Sequence, residues 1–496
     1  MLAVTRANQC LLPDEVLVQI FRQSSQATLA SAAVVCRAWN EPALQILWEE
    51  GVNFEIFLKL LGGVFWMNGS VHFDNECTDK HLDRLLLYGA WIKSGYITHW
   101  LHNTVVDELR TTIAQLSRPL LPLMYQLNIT LHGPVPKGSD ASHALVFTSP
   151  ILRKLWFTPY STMVTMAFCM QLPILSPILE DIVLYLDTST KSPALVVAEM
   201  LAHLPALRHA VIEASPSYSN VDAILSVLGG HKNLEGFRIQ DMDIVSSHSA
   251  LKQCKGSLSL RWIISIGCSG IELFIKSLSP VSELTQIEVT EAGMSSRAVA
   301  EFFQALGTFK RLETLILEVS IDNREVPSVD VLGPLRFCSM LETLSIALAP
   351  RIPMHDNDLE ALLSHLPHLI NFRIEDVRWK VSSARSNLTL RALAIIATLC
   401  PMIQSISIKL DASKNTSHAM EYHPTLLDRI DVQGSHIEDA EAVAQFFLRL
   451  PASRALKLHI YGMEDDRTQW KEVGVRLAFL QDARGRGGLL TQVPVV

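Results

Sequence analysis

Apolar residues follow the spacing of an α-helix through the first part of the chain. The first apolar face lies in LPDEVLVQIF and consists of Val16, Leu17, Ile20 and Phe21. Pro13 suits the start of this helix, where its missing N–H costs nothing. The pattern restarts after Thr28, a predicted N-cap, and again near Pro42, so we expect three short helices. About forty residues bury too little surface to fold alone, so these helices are expected to face a partner.

A second apolar pattern, Leu-x-x-Leu-x-Leu or its Ile, Phe and Val equivalents, recurs from about residue 95 onward. Its copies lie 24 to 34 residues apart, and runs with helical spacing separate them. The predicted inward-facing strand anchors are Leu127, Leu155, Ile182, Ala210, Phe237, Ile287, Leu315, Leu344, Phe372, Ile406, Ile430 and Leu458, with a further copy around Trp262. A blurred earlier copy lies between Tyr96 and Trp100. Each copy predicts one short strand.

A period near 28 residues with one strand and one helix per unit is typical of a leucine-rich-repeat solenoid. Each strand and each helix has one apolar face, and stacking covers it with the matching face of the next unit. We therefore expect parallel strands along one side and helices along the other. A last helix at 466–481 is expected to close the stack, before a disordered tail at 483–496.

Four blocks of the N-terminal segment resemble the F-box. They are Leu12-Pro13-Asp14-Glu15, Ile20-Phe21, Val35-Cys36-Arg37-Ala38-Trp39 and Leu47-Trp48, in the order and near the spacing of that family. The resemblance covers about a tenth of the chain and implies binding to a Skp-type adaptor. The implied adaptor-binding residues are Leu12, Pro13, Glu15, Val16, Ile20, Phe21, Val35, Cys36, Trp39, Leu47 and Trp48. The alternative is a helical N-terminal cap whose aromatic residues only form a core.

These patterns predict an α/β fold in four regions. The regions are an F-box at 1–50, a transition region at 51–95, a leucine-rich-repeat solenoid at 96–482 and the tail at 483–496. The Asn that follows the strand in this repeat family is mostly missing, so the solenoid resembles the looser repeats of many F-box proteins, notably fungal ones.

The composition mainly argues against certain classes of protein. Hydrophobic residues make up 49% of the chain and charged residues 19%, which indicates a folded protein. The net charge of −8 and the lack of a Lys/Arg block argue against nucleic-acid binding. The uncharged stretch 155–179 could span a membrane by length, but it carries three prolines and fits the repeat, so we expect no membrane contact. Eight cysteines without a predicted secretory signal indicate reduced thiols and a cytoplasmic or nuclear protein.

The sequence shows no motif of an enzyme or of a metal or cofactor site. Cys254, Cys338 and Cys400 each lie six residues before a strand position, where other units have Leu204 or Phe309. They are therefore interpreted as buried apolar residues and not as nucleophiles. The histidines form no metal-ligand spacing, and no glycine-rich phosphate loop occurs. We expect neither catalysis nor a cofactor.

The outward-facing strand positions are the candidate binding surface for a protein target. From Phe372 onward, nearly every unit has a charged residue there, whereas the early units have neutral ones. The predicted target-binding residues are Arg373, Glu375, Arg378, Trp379, Lys409 and Asp431. A mixed-charge surface favours specificity by penalising mismatched partners. The competing interpretation is that these charges only keep the surface soluble.

The resemblance implies a substrate receptor of an SCF-type ubiquitin ligase, which reaches the cullin scaffold through the Skp adaptor. A second hypothesis is a repeat scaffold that binds the adaptor outside any ligase. An enzyme is disfavoured because the motifs are missing.

Overall fold

The structure is a computed structural model, and it describes seventeen stretches of the chain. They are 12–67, 70–73, 78–116, 119–131, 143–158, 162–186, 194–214, 221–240, 260–268, 270–278, 283–321, 326–375, 386–413, 426–432, 435–450, 456–459 and 464–485. The chain divides into two compact units, Met1–Ser215 and Pro216–Val496.

The first unit begins with three helices and continues with strands and helices in alternation. Its helices are α1 Asp14–Arg22, α2 Gln26–Val35, α3 Arg37–Glu49, α4 Phe54–Leu58, α5 Asp79–Gly89, α6 Asn103–Leu116, α7 Thr162–Leu175 and α8 Ala194–Ala202. Its strands are β1 Val52–Asn53, β2 Val64–Met67, β3 Ser70–Phe73, β4 Ser94–Ile97, β5 Trp100–Leu101, β6 Gln126–Thr130, β7 Lys154–Thr158, β8 Asp181–Leu186 and β9 His209–Ala214. Short 3₁₀ helices lie at Lys59–Leu61 and His143–Phe147.

The three N-terminal helices are present, but two of them start earlier than the sequence pattern predicts. Ser25, not Thr28, is the N-cap of α2, because its hydroxyl accepts a hydrogen bond from the Thr28 N–H at 3.2 Å. Helix α3 starts at Arg37 and contains Pro42. The Asn40 side chain donates to the Ala33 carbonyl at 2.7 Å, which ties the start of α3 to the end of α2.

The parallel sheet of the first unit confirms the predicted repeat. Strands β1, β4, β6, β7, β8 and β9 pair in parallel, in that order. The anchors lie side by side in one register column, which runs through Val52, Gly95, Leu127, Leu155, Ile182 and Ala210. A separate small sheet contains β2, β3 and β5.

This sheet begins before the predicted solenoid boundary at residue 96. Strands β1 and β4 belong to it although they start within 51–95, the predicted transition region. Both are short, so they show little alternation in the sequence. Gly95 occupies the anchor position of β4, and a Cβ there would lie 2.6 Å from the ring of Phe54. The Phe54 ring therefore fills the volume that a Leu anchor fills elsewhere, which explains the blurred repeat.

The second unit repeats the same architecture. Its helices are α9 Val221–Gly230, α10 Ile271–Ser277, α11 Ser296–Leu306, α12 Asp356–Leu363, α13 Leu390–Leu399, α14 Ala440–Arg449 and α15 Glu464–Gly485, with a 3₁₀ helix at Val329–Phe337. Its strands are β10 Gly236–Gln240, β11 Trp262–Ile266, β12 Gln286–Met294, β13 Thr314–Ile321, β14 Thr343–Ala349, β15 Asn371–Glu375, β16 Ser405–Ile408, β17 Arg429–Asp431 and β18 Lys457–His459.

These nine described strands pair in parallel and in chain order. Their register column consists of Phe237, Ile263, Ile287, Leu315, Leu344, Phe372, Ile406, Ile430 and Leu458. The anchor of β11 is thus Ile263, and Trp262 faces the other side of the sheet. A Cβ on Gly236 would lie 1.9 Å from the Trp262 indole, so the glycine lets this ring lie across the neighbouring strand. The predicted leucine-rich-repeat solenoid is confirmed.

The cysteines in the repeat are core residues wherever the structure describes them. Cys338 and Cys400 are fully buried, and their thiols donate to the carbonyls of Leu306 and Leu366. Burial raises the pKa of each thiol to about 12, which suppresses the nucleophilic thiolate. Cys254 lies outside the described residues.

The uncharged stretch 155–179 is divided between β7 and α7. Among the described residues, no helix is both long enough and apolar enough to cross a bilayer.

The last helix buries a tryptophan against the second unit, together with Val473, Leu477 and Leu480. Trp470 is fully buried, and its indole N–H donates to the Ser435 carbonyl at 2.6 Å. Its ring lies 6.1 Å from that of Phe447 on α14. The helix extends to Gly485, beyond the predicted end at 481 and into the start of the predicted tail. Residues 486–496 lie outside the described part of the chain.

We expect Trp470→Ala to lower the free energy of unfolding by about 3–5 kcal/mol, because it leaves a large cavity and an unpaired carbonyl. Phe479→Ala is the control on the same helix, since Phe479 is 69% exposed. That variant should change stability by less than about 0.5 kcal/mol. Urea unfolding followed by tryptophan-independent circular dichroism measures both, and equal midpoints would contradict the closing role of Trp470.

A buried carboxylate joins α4 to the segment after β4. Glu55 is 7% exposed, and its Oε1 accepts hydrogen bonds from the Thr98 hydroxyl at 2.6 Å and from His99 Nδ1 at 2.5 Å. Burial raises the pKa of this carboxyl, but the hydrogen bonds from Thr98 and His99 lower it more, so the pKa lies below its usual value.

Because the folded-state pKa is depressed, the contribution of Glu55 to stability is present above its unfolded-state pKa and is lost as the pH falls through the folded-state value. We therefore expect Glu55→Gln to cost about 1–3 kcal/mol at neutral pH. The difference from the parent should shrink at a pH below about 4. Urea midpoints across a pH series measure this, with Glu50→Gln, at an exposed position, as the control. A pH-independent deficit would contradict the role of the charge.

Candidate functional site

The F-box-like helices have a small core on one side. Its buried members are Leu17, Phe21, Leu29, Ala32, Ala33 and Ala43, with Leu44, Ile46 and Leu47 packed against them. The Phe21 ring meets the Trp39 ring edge to face at 5.9 Å, so α1 and α3 are held together at this point. This core accounts for only part of the apolar residues in the three helices.

The other side of α1 exposes a row of apolar side chains to solvent. Leu12, Val16 and Ile20 lie four residues apart and are 47%, 41% and 48% exposed. At 3.6 residues per turn, this spacing places Val16 and Ile20 above one another along the helix, and Leu12 lies just before the N-cap Pro13. We call these three residues the α1 stripe. Its neighbour Leu17 points into the core, and it is 2% exposed.

A second exposed apolar group lies where α2 ends and α3 begins. Val34 and Val35 are 83% and 63% exposed, Cys36 is exposed, and Trp39 is 38% exposed. The F-box resemblance includes Val35 but not Val34, which lies just before the resembling block. The exposure of Val34 or Val35 was predictable from the sequence, because two successive valines at the end of a helix cannot both face one small core.

The structure therefore divides the predicted adaptor-binding residues by exposure. The exposed ones are Leu12, Pro13, Glu15, Val16, Ile20, Val35, Cys36 and Trp39. Phe21 is only 4% exposed and lies inside the core. Leu47 packs against that core, and the half-buried Trp48 stacks on Tyr88 at 5.2 Å. These last three residues hold the domain together and join it to α5.

A groove of about 700 Å³ lies on the strand side of the second unit. One register row runs along it through the outward residues Glu288, Ile316, Ser345, Arg373, Ser407 and Asp431. We call the whole lined depression the strand groove. Three of the predicted target-binding residues, Arg373, Glu375 and Asp431, line it together.

An ion-pair network surrounds Arg373 in the strand groove. Its guanidinium bonds to the carboxylate of Glu375 and lies 3.6 Å from Glu318 on β13. The hydrogen bond with Glu375 raises the pKa of Arg373 above its usual value, and Glu318 and Asp431 add to this shift. Arg373 is therefore firmly held in the charged state.

Of the other three predicted target-binding residues, the structure describes Lys409. Lys409 directly follows the end of β16 at Ile408 and does not line the strand groove. Lys409 is 9% exposed, and its carbonyl accepts hydrogen bonds from Ser386 at 2.7 Å and Arg351 at 3.3 Å. Arg378 and Trp379 lie outside the described residues.

The comparisons with known proteins support the F-box resemblance of the three N-terminal helices. Residues 9–51 match the family model described as F-box-like, which covers α1 to α3. This match, together with the strand–helix repeats and their register columns, defines an F-box/leucine-rich-repeat architecture. Both parts are interaction modules, so the architecture is that of a protein-interaction protein.

Among solved structures, the chain is similar to a leucine-rich-repeat protein from Leptospira interrogans. The sequence identity is 12% and the TM-score is 0.41, over 80% of this chain and 91% of that protein. A search of curated proteins found no match.

Two adjacent residues should separate the core of the F-box-like domain from its surface. We expect Phe21→Ala to destabilise this domain by about 3–5 kcal/mol, because Phe21 is buried. Ile20→Ala should cost less than about 0.5 kcal/mol, because Ile20 is 48% exposed. Hydrogen exchange of the α1–α3 amides in the full chain reports on this domain directly. Equal protection in both variants would contradict the placement of the core.

Proposed function

We propose that this protein is the substrate-recognition subunit of an SCF-type ubiquitin ligase. The F-box-like domain binds a Skp-type adaptor and, through it, the cullin scaffold, while the repeats bind a protein target. The observation that carries the proposal is the exposed apolar surface of a domain that matches the F-box-like model. Such a surface is unfavourable in water unless a partner covers it.

The adaptor-binding surface consists of the α1 stripe and of Val34, Val35, Cys36 and Trp39. Burying one large apolar side chain contributes roughly 1.5–3 kcal/mol, so a few of these residues supply a stable interface. Apolar side chains in the centre with polar groups at the rim are typical of protein interfaces, and Glu15 is an exposed polar residue of α1. Phe21, Leu47 and Trp48 support this surface from within the domain.

The proposed mechanism is proximity. A target held on the repeats comes close to a ubiquitin-carrying enzyme, and the local concentration of the two partners rises. Holding two reactants together in this way needs no catalytic group in this chain. The buried, protonated thiols of Cys338 and Cys400 fit this division of labour. The proposal includes a cytoplasmic or nuclear location and a relationship to fungal F-box proteins.

Introducing charged residues into the apolar surface tests adaptor binding. We expect Val16→Glu with Ile20→Glu to weaken binding of a purified Skp adaptor by more than about tenfold, because carboxylates would be buried without partners. Val475→Glu with Phe479→Glu is the matched control, since these residues are 71% and 69% exposed on α15. Titration calorimetry with the full chain measures both. Unchanged affinity in the first variant would contradict the proposed surface.

Capture of complexes from cells distinguishes a ligase subunit from a scaffold. A ligase subunit should recover both the adaptor and the cullin, and the charge variant should lose both together. A repeat scaffold that acts outside the ligase would recover the adaptor without the cullin.

A further inference from the structure

The strand groove has an excess of negative charge. Its charged lining residues, among those the structure describes, are Glu288, Glu291, Glu318, Glu375 and Asp431 against Arg373 and Arg429. Five carboxylates and two guanidinium groups leave a formal charge of −3. The strand pattern predicted a mixed-charge surface that included Lys409 as an outward cation. Lys409 is only 9% exposed and is not among the residues that line the groove.

One of these carboxylates is placed by an irregular backbone. The pairing of β12 with β13 shifts register between Val289 and Ala292, which is a β-bulge. Glu291 lies in this bulge with a φ of 56°, a conformation that residues other than glycine rarely adopt. A bulge commonly redirects a side chain, and here Glu291 is exposed and lines the strand groove.

The floor of the strand groove contains an unsatisfied hydroxyl. Ser345 lines the groove and is only 7% exposed, and its Oγ has no hydrogen-bond partner among the described residues. A buried polar group without a partner is destabilising. A hydroxyl both donates and accepts, so a ligand in the groove that brings an N–H would satisfy it.

Arg373 covers this floor. Its ion pair with Glu318 joins β15 to β13 and therefore passes over the outward side of β14. The outward residues of β14 below it, Ser345 and Ala347, are small and buried. A cationic side chain from a ligand would compete with Arg373 for Glu318 and would expose this floor.

We propose that the strand groove binds an extended, basic segment of a target protein. The carboxylates bind its Lys or Arg side chains, and the Ser345 hydroxyl accepts a hydrogen bond from one of its N–H groups. That the segment belongs to a ubiquitination target rests on the proposed function, but binding by the groove does not. The same negative charge disfavours a nucleic acid as the ligand.

The size of the groove sets the length of the segment. The lining residues extend from β12 to β17, and neighbouring strands lie about 4.8 Å apart. The groove therefore spans about 24 Å, which an extended chain covers with about seven or eight residues at roughly 3.3 Å each.

The test measures peptide binding by the full-length chain at low ionic strength. The probe is a fluorescent peptide of about eight residues with lysine at alternate positions and serine between them, and glutamate replaces lysine in a second peptide. We expect the lysine peptide to bind, and Glu288→Gln with Glu291→Gln to weaken it by about tenfold. Fluorescence anisotropy gives the affinities, and circular dichroism confirms folding.

The control variant Glu283→Gln with Glu360→Gln removes the same charge from carboxylates outside the groove lining. The inference holds if this variant binds the lysine peptide like the parent. It is overturned if the lysine peptide does not bind, if both variants weaken it equally, or if the glutamate peptide binds better. Binding of the Skp adaptor is measured separately. Failure of peptide binding alone contradicts the strand-groove proposal, and failure of adaptor binding alone contradicts the proposed function.

Discussion

The structure depends on one constraint: no repeat can bury its own apolar faces. A strand of two to nine residues and a helix of about three turns leave most of their apolar surface open, and only the next repeat covers it. The register columns express this directly, since Leu315, Leu344 and Phe372 lie beside one another and are buried. Where a repeat departs from the pattern, another side chain compensates, as Phe54 does at Gly95.

The same constraint explains why the two ends of the chain differ. At the C-terminal end, α15 covers the last repeat, and Trp470 is buried against α14 while its N–H satisfies a carbonyl. At the N-terminal end, the three helices use Phe21 and a few alanines for a small core and leave the α1 stripe in water. At the C-terminal end a helix of the chain covers the core of the last repeat, although its outer face still exposes Val475 and Phe479; at the N-terminal end we propose that a partner covers the α1 stripe.

The outward strand positions are the ones open to a ligand in this architecture, because the inward ones are committed to packing. A parallel sheet brings residues from distant repeats side by side, so Glu288 and Asp431 line one groove although more than a hundred residues separate them. Small outward residues on β14 deepen the groove, and the bulge in β12 adds Glu291 to its edge. The regular repeats thus present a chemically varied surface.

The sequence by itself determined the F-box-like segment, the repeat period and nearly every strand anchor, because these depend on local apolar periodicity. It could not show that Phe21 packs inward while its neighbour Ile20 faces solvent, since the F-box resemblance includes both. It also could not show the charge of the strand groove. That depends on the sheet that brings Glu288, Glu318 and Arg373 together, and on the burial of Lys409. Local patterns determine elements, whereas surface chemistry depends on which distant residues become neighbours.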